Sequence, residues 1–103
     1  MTYLKIGETL YPASLRGRVT DRDWDNRESM FITLLMTHEQ AVATFVDGLE
    51  WSYIDVANGE ETEYDMSEFE VAGSITDNRD GTVTAKMGKF TDADALSVLT
   101  GEV

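Results

Sequence analysis

The chain contains no cysteine, a single proline and a single histidine among its 103 residues. Without cysteine there can be no disulfide, no thiolate metal site and no cysteine nucleophile, and the composition fits a reducing compartment. Long hydrophobic runs are missing as well. The longest apolar window, Met30 to Met36, is interrupted by Thr33 and falls far short of the roughly 20 residues that cross a bilayer. Met1 to Glu8 has neither the basic start nor the apolar run of a signal peptide. His38 has no cysteine to work with, and no serine lies in a Gly-x-Ser-x-Gly elbow, so nucleophilic catalysis is not expected. Phosphate-cradling glycine loops are absent too, and Gly81 and Gly88 read as glycines of a hairpin.

The most informative absence concerns positive charge. Between Arg27 and Arg79 there is no lysine or arginine, while that stretch carries twelve acidic residues. Residues 1–46 hold 5 basic and 6 acidic side chains, against 3 and 14 in residues 47–103. The net charge of -12 is therefore local. Such a field repels nucleic acid and anionic lipid and attracts basic protein surfaces.

What is present suffices for one folded domain over residues 1–103. Hydrophobic residues make up 42% of the chain, enough to offset ordering entropy despite the charge. Tyr3 to Ile6 and Thr9 to Val19 read as a strand or hairpin, broken at Gly7 and Pro12. Met30 to Met36 reads as a central strand buried on both faces. Thr37-His38-Glu39-Gln40 has capping-box spacing, which starts a short helix whose apolar positions are Ala41, Val42, Phe45 and Val46 and whose stop is Asp47-Gly48. Leu49, Trp51 and Tyr53 then alternate with Glu50, Ser52 and Ile54 as a returning strand.

Ala57 to Asp65, with Asn-Gly and four acids, reads as a mobile loop. Phe69, Val71, Gly73 and Ile75 next form one face of a strand, and Val83, Ala85 and Met87 continue it after Asp80-Gly81, which makes a β-hairpin. Thr91 to Gly101 repeats the capped-helix pattern. The expected fold is α+β: a mainly antiparallel sheet of four to six strands with two short helices.

Two constellations invite chemical readings. Asp21, Asp23 and Asp25 match the first three ligand positions of a calcium loop, but Asn26 stands where its glycine belongs and Ile32 where its bidentate glutamate belongs. The segment therefore reads as a surface loop of Asp–Arg pairs, with no metal or other cofactor expected. The acidic tract is denser than solubility requires. Glu68 and Glu70 on an exposed strand face would stand about 6.6 Å apart, and Asp55, Glu60, Glu61, Glu63 and Asp65 would add charge from beside it. A surface of that kind competes with nucleic acid for a basic groove. Trp51 and Tyr53 read first as core residues and second as interface anchors.

Tyr11-Pro12-Ala13-Ser14, Gly17 to Asp21, Asp23-Trp24-Asp25, Arg27-Glu28-Ser29, Phe45 to Ser52, Val71 to Asp77, Arg79 to Thr84 and Lys86 to Lys89 together resemble a group of small phage and prophage proteins of Firmicutes. The resemblance covers most of the chain. It implies a phage setting and two jobs: an accessory protein acting against a host defence system, or a virion or tail component. The expectation is a non-enzymatic acidic protein in the host cytoplasm that occupies a basic, nucleic-acid-binding surface of a host protein, in the manner of an anti-CRISPR inhibitor. Trp51, Tyr53, Asp55, Glu60, Glu61, Glu63, Asp65, Glu68 and Glu70 are the expected contact residues. The alternative is a structural component of a tail or baseplate, with sheet edges as its contacts.

Overall fold

Strand β2 (Thr9–Asp21) is thirteen residues long and belongs to both halves of the sheet. The computed structural model of the protein describes residues 2–24 and 26–90. Residues 9 to 12 of β2 pair antiparallel with β1 (Thr2–Ile6), and residues 13 to 21 pair on the opposite edge with β3 (Arg27–Leu35). Pro12 falls where the β3-facing edge of β2 has no partner yet, so its missing N–H costs no ladder bond on that side. The remaining strands are β4 (Ser52–Ala57), β5 (Glu60–Asp65), β6 (Val71–Asp77) and β7 (Thr82–Gly88). They give one antiparallel sheet in the order β5-β4-β1-β2-β3-β7-β6.

The expected α+β class is thereby corrected. Among the described residues the fold is mostly β, with seven strands rather than four to six and one short α-helix, α1 (His38–Thr44). The second expected helix, Thr91 to Gly101, lies outside the described residues. The physical reason for the extra strands is turn chemistry. Asn58 and Gly59 both take left-handed φ values, 53° and 78°, which is the two-residue turn whose twist suits a hairpin. Segment 57–65, expected to be a loop, therefore closes β4 onto β5, from Ala57 opposite Glu60 to Ser52 opposite Asp65.

One face of the sheet carries the core. Met30, Ile32 and Leu34 of β3 stand opposite Met87, Ala85 and Val83 of β7, and Leu4, Phe69, Phe45 and Trp51 join them. Removing such side chains from water contributes about 1.5–3 kcal/mol each. β3 is not buried on both faces: Phe31 and Thr33 are half-buried between the core residues, and Leu35 is 75% exposed. Two bulges interrupt the alternation. In β2, Gly17 and Arg18 oppose the single residue Met30; in β6, Gly73 and Ser74 oppose Lys86. The second bulge shifts the phase, so Ala72 and Ile75 pack on the core instead of the evenly spaced Val71, Gly73 and Ile75.

Helix α1 forms because its first turn is capped as the spacing requires. The Gln40 amide donates to Thr37 Oγ1 (3.1 Å) and the Thr37 amide donates to Gln40 Oε1 (3.1 Å), a pairing that stabilises a helix start by about 1 kcal/mol. Ala41 and Phe45 are buried, whereas Val42 and Val46 are exposed. The following turn is tied to β6 by the Ala72 amide, which donates to Asp47 Oδ1 (2.8 Å), and by the Gly48 amide, which donates to the Glu70 carbonyl (2.7 Å).

The opposite face of the β2, β3 and β7 region carries cations layered on aromatics. The Arg16 guanidinium lies 4.5 Å from the Phe31 ring centre, that of Arg27 lies 4.7 Å from Trp24, and Lys86 Nζ lies 5.4 Å from Trp24. Lys86 also donates to Asp21 Oδ2, and Arg27 Nη1 donates to the Lys89 carbonyl (2.8 Å). Trp24 fits here because β7 presents Gly88, which is buried. A Cβ on Gly88 would stand 2.3 Å from Arg27 Cδ and 2.7 Å from the Trp24 ring. Gly88→Ala is therefore expected to lower stability by about 1–3 kcal/mol, read as a lower urea midpoint at unchanged m-value.

Candidate partner-binding surface

Strand β5 is an edge strand with four acids among six residues, and every one of its residues is exposed. The pleat divides its side chains. Glu61, Glu63 and Asp65 lie on one face, opposite Val56, Ile54 and Ser52; Glu60, Thr62 and Tyr64 lie on the other, opposite Ala57, Asp55 and Tyr53. Carboxylates two residues apart are about 7 Å from one another and repel by about 0.6 kcal/mol in water, a cost that β4 pairing can absorb.

The acids differ in their immediate partners. Lys5 Nζ reaches Glu63 Oε1 at 3.2 Å, an exposed ion pair of small energetic weight. Ser67 donates its hydroxyl (2.7 Å) and its amide (3.0 Å) to Asp65 Oδ1, and these bonds hold the Asp65 carboxyl below its ordinary value. Asp80, in the β6–β7 turn, is held low in the same way by the Thr82 hydroxyl and amide.

The structure brings Tyr53, Asp55, Glu60, Glu61, Glu63 and Asp65 together on the β4–β5 hairpin. It does not bring Glu68 and Glu70 onto a strand face. Both precede β6, and Glu68 Oε2 lies 3.7 Å from Lys89 Nζ. Trp51 is 3% exposed and donates its indole N–H to the Phe69 carbonyl (2.9 Å), which makes it a core residue. Of the calcium-like trio, Asp21 is taken up by Lys86, and among the described residues no three histidine or acidic side chains cluster for a metal. No helix among them is long and apolar enough to cross a membrane.

Residue-level reading missed Tyr64, which stacks on Tyr53 with ring centres 4.7 Å apart and planes inclined by 21°. The signal that reveals it is Asn58-Gly59: once those residues form the turn, Tyr64 must stand opposite Tyr53. The two tyrosines border a cleft of about 620 Å³ that Leu15, Met30, Met66, Thr2 and Asp55 also line. Gly17 also lines it, and its missing side chain leaves room for the Met30 thioether: a Cβ there would stand 1.7 Å from Met30 Sδ.

Comparison with protein-family models, with curated proteins and with solved structures returned no match.

Trp51→Phe is expected to cost on the order of 1–3 kcal/mol through the lost indole bond, seen as a lower denaturation midpoint at unchanged m-value. For Asp65 and Asp80 the folded-state pKa lies below the unfolded one, so their stabilisation is complete above the unfolded value and disappears as pH falls through the folded value. The gap in Tm between wild type and Asp65→Ala/Asp80→Ala should accordingly close between neutral pH and strong acid.

Proposed function

We propose that the protein is a non-catalytic, phage-encoded acidic binding protein that occupies a basic, nucleic-acid-binding surface of a host protein, an anti-CRISPR type of inhibitor among the options. The observation that carries this reading is the exposure of all six β5 residues, four of them acids, on an edge strand. Charged side chains blunt an edge against aggregation; in β5 they make up four of the six residues. Regular strand spacing presents Glu61, Glu63 and Asp65 as a row of three on one face, which would substitute for a row of phosphates in a groove lined by lysine and arginine. The host cytoplasm is the corresponding location.

A second reading, a tail or baseplate component, draws on a different observation. Both β5 and β6 are sheet edges, and Leu35, Val42 and Val46 are exposed at 75%, 51% and 46%. Assembly through edges and apolar patches would give a symmetric oligomer.

The test is capture from host lysate at low salt followed by washes of rising salt. Under the mimic reading one basic nucleic-acid-binding protein is retained, then released by salt or by competing nucleic acid. Replacing Glu60, Glu61, Glu63 and Asp65 by lysine should abolish that capture while leaving the folded spectrum intact. Recovery of self-associated protein or virion proteins alone would favour assembly, and capture unaffected by the four reversals would overturn the mimic reading.

A further inference from the structure

We infer that the cleft beside the β4–β5 hairpin is a seat for an arginine side chain of the partner protein, a reading that rests on the proposed binding to a basic surface. Its volume of about 620 Å³ lies within the range of small-ligand sites and exceeds what one guanidinium and its methylene stem require. The lining supplies the three things such a side chain needs. Leu15, Met30 and Met66 give apolar lining for the stem. Tyr64, 43% exposed and stacked on Tyr53, offers a ring face to a planar cation. Asp55 is the charged residue in the lining.

The register makes these groups convergent. Asp55 stands opposite Thr62 and Tyr53 opposite Tyr64, so Asp55 and Tyr64 are diagonal neighbours on the same face of the hairpin. Diagonal neighbours are about 7–8 Å apart at the backbone, a span that a guanidinium lying on the Tyr64 ring bridges with its N–H fork turned to the carboxylate. Lysine, a compact and strongly hydrated charge, cannot stack and fork at once. The row of Glu61, Glu63 and Asp65 on the opposite face then provides long-range attraction, while the cleft provides the choice of residue.

The probe is the acetylated, amidated tripeptide Gly-Arg-Gly, with Gly-Lys-Gly at equal ionic strength as its comparison, followed by two-dimensional NMR. The expected result is saturable movement of the Tyr53 and Tyr64 ring signals and of the Thr2 and Asp55 amides. The arginine probe should bind more tightly than the lysine probe by about fivefold. Tyr64→Leu and Asp55→Asn should each weaken arginine binding by about the same factor, and Glu39→Gln, a neutralisation on α1, should not. Unchanged Leu4 and Phe69 signals certify that each variant is folded. Equal response to both probes, or shifts confined to Glu61 and Asp65, would overturn the inference. The probe needs no partner protein. Saturable binding in the cleft, without a salt-releasable partner in lysate, would therefore overturn the mimic reading and leave the arginine seat standing.

Discussion

The antiparallel pairing of β2 is the interaction on which the rest of the structure depends, because β2 alone belongs to both halves of the sheet. Its early residues hold β1, and through β1 they hold β4 and the acidic hairpin; its later residues hold β3 and through it β7 and β6. The bulge at Gly17 and Arg18 lies on the β3-paired part and strengthens the local twist. Leu15 and Met30, beside that bulge, line the same cleft as Tyr53 and Tyr64 from the other half. The candidate surface is thus a product of the whole sheet, although its charge comes from one hairpin.

Parts of this were legible in the sequence. The capping box at Thr37 to Gln40 and the β6–β7 hairpin follow from short-range rules and stand where those rules place them. Local chemistry failed where one rule had to override another. The acidity of segment 57–65 argues for a loop, yet Asn-Gly imposes a turn geometry that only a hairpin satisfies, and pairing with β4 outweighs the repulsion among the glutamates. Even alternation misplaced the inward residues of β6 because a bulge adds one residue to one strand without any compositional mark beyond Gly73.

The candidate site was legible in its charge and not in its shape. Glu60, Glu61, Glu63 and Asp65 announce themselves by density, but their division between two faces follows only from register. Glu68 and Glu70 belong to the same run of sequence and yet precede β6, where Glu68 meets Lys89. Tyr64 lay hidden among polar neighbours because its importance depends on what stands across the ladder.

The cation-bearing layer of Arg16, Arg27 and Lys86 and the acidic row of β5 sit in different halves of one sheet. Among the described residues the acids of the hairpin half are accordingly set apart from this cation layer, in which Lys86 is already paired with Asp21. Under the proposed function, the field of a basic groove would pull on the hairpin half more strongly than on the Arg16 face. Encounters in which the hairpin leads would thereby be favoured over those in which the Arg16 face leads, before any contact is made.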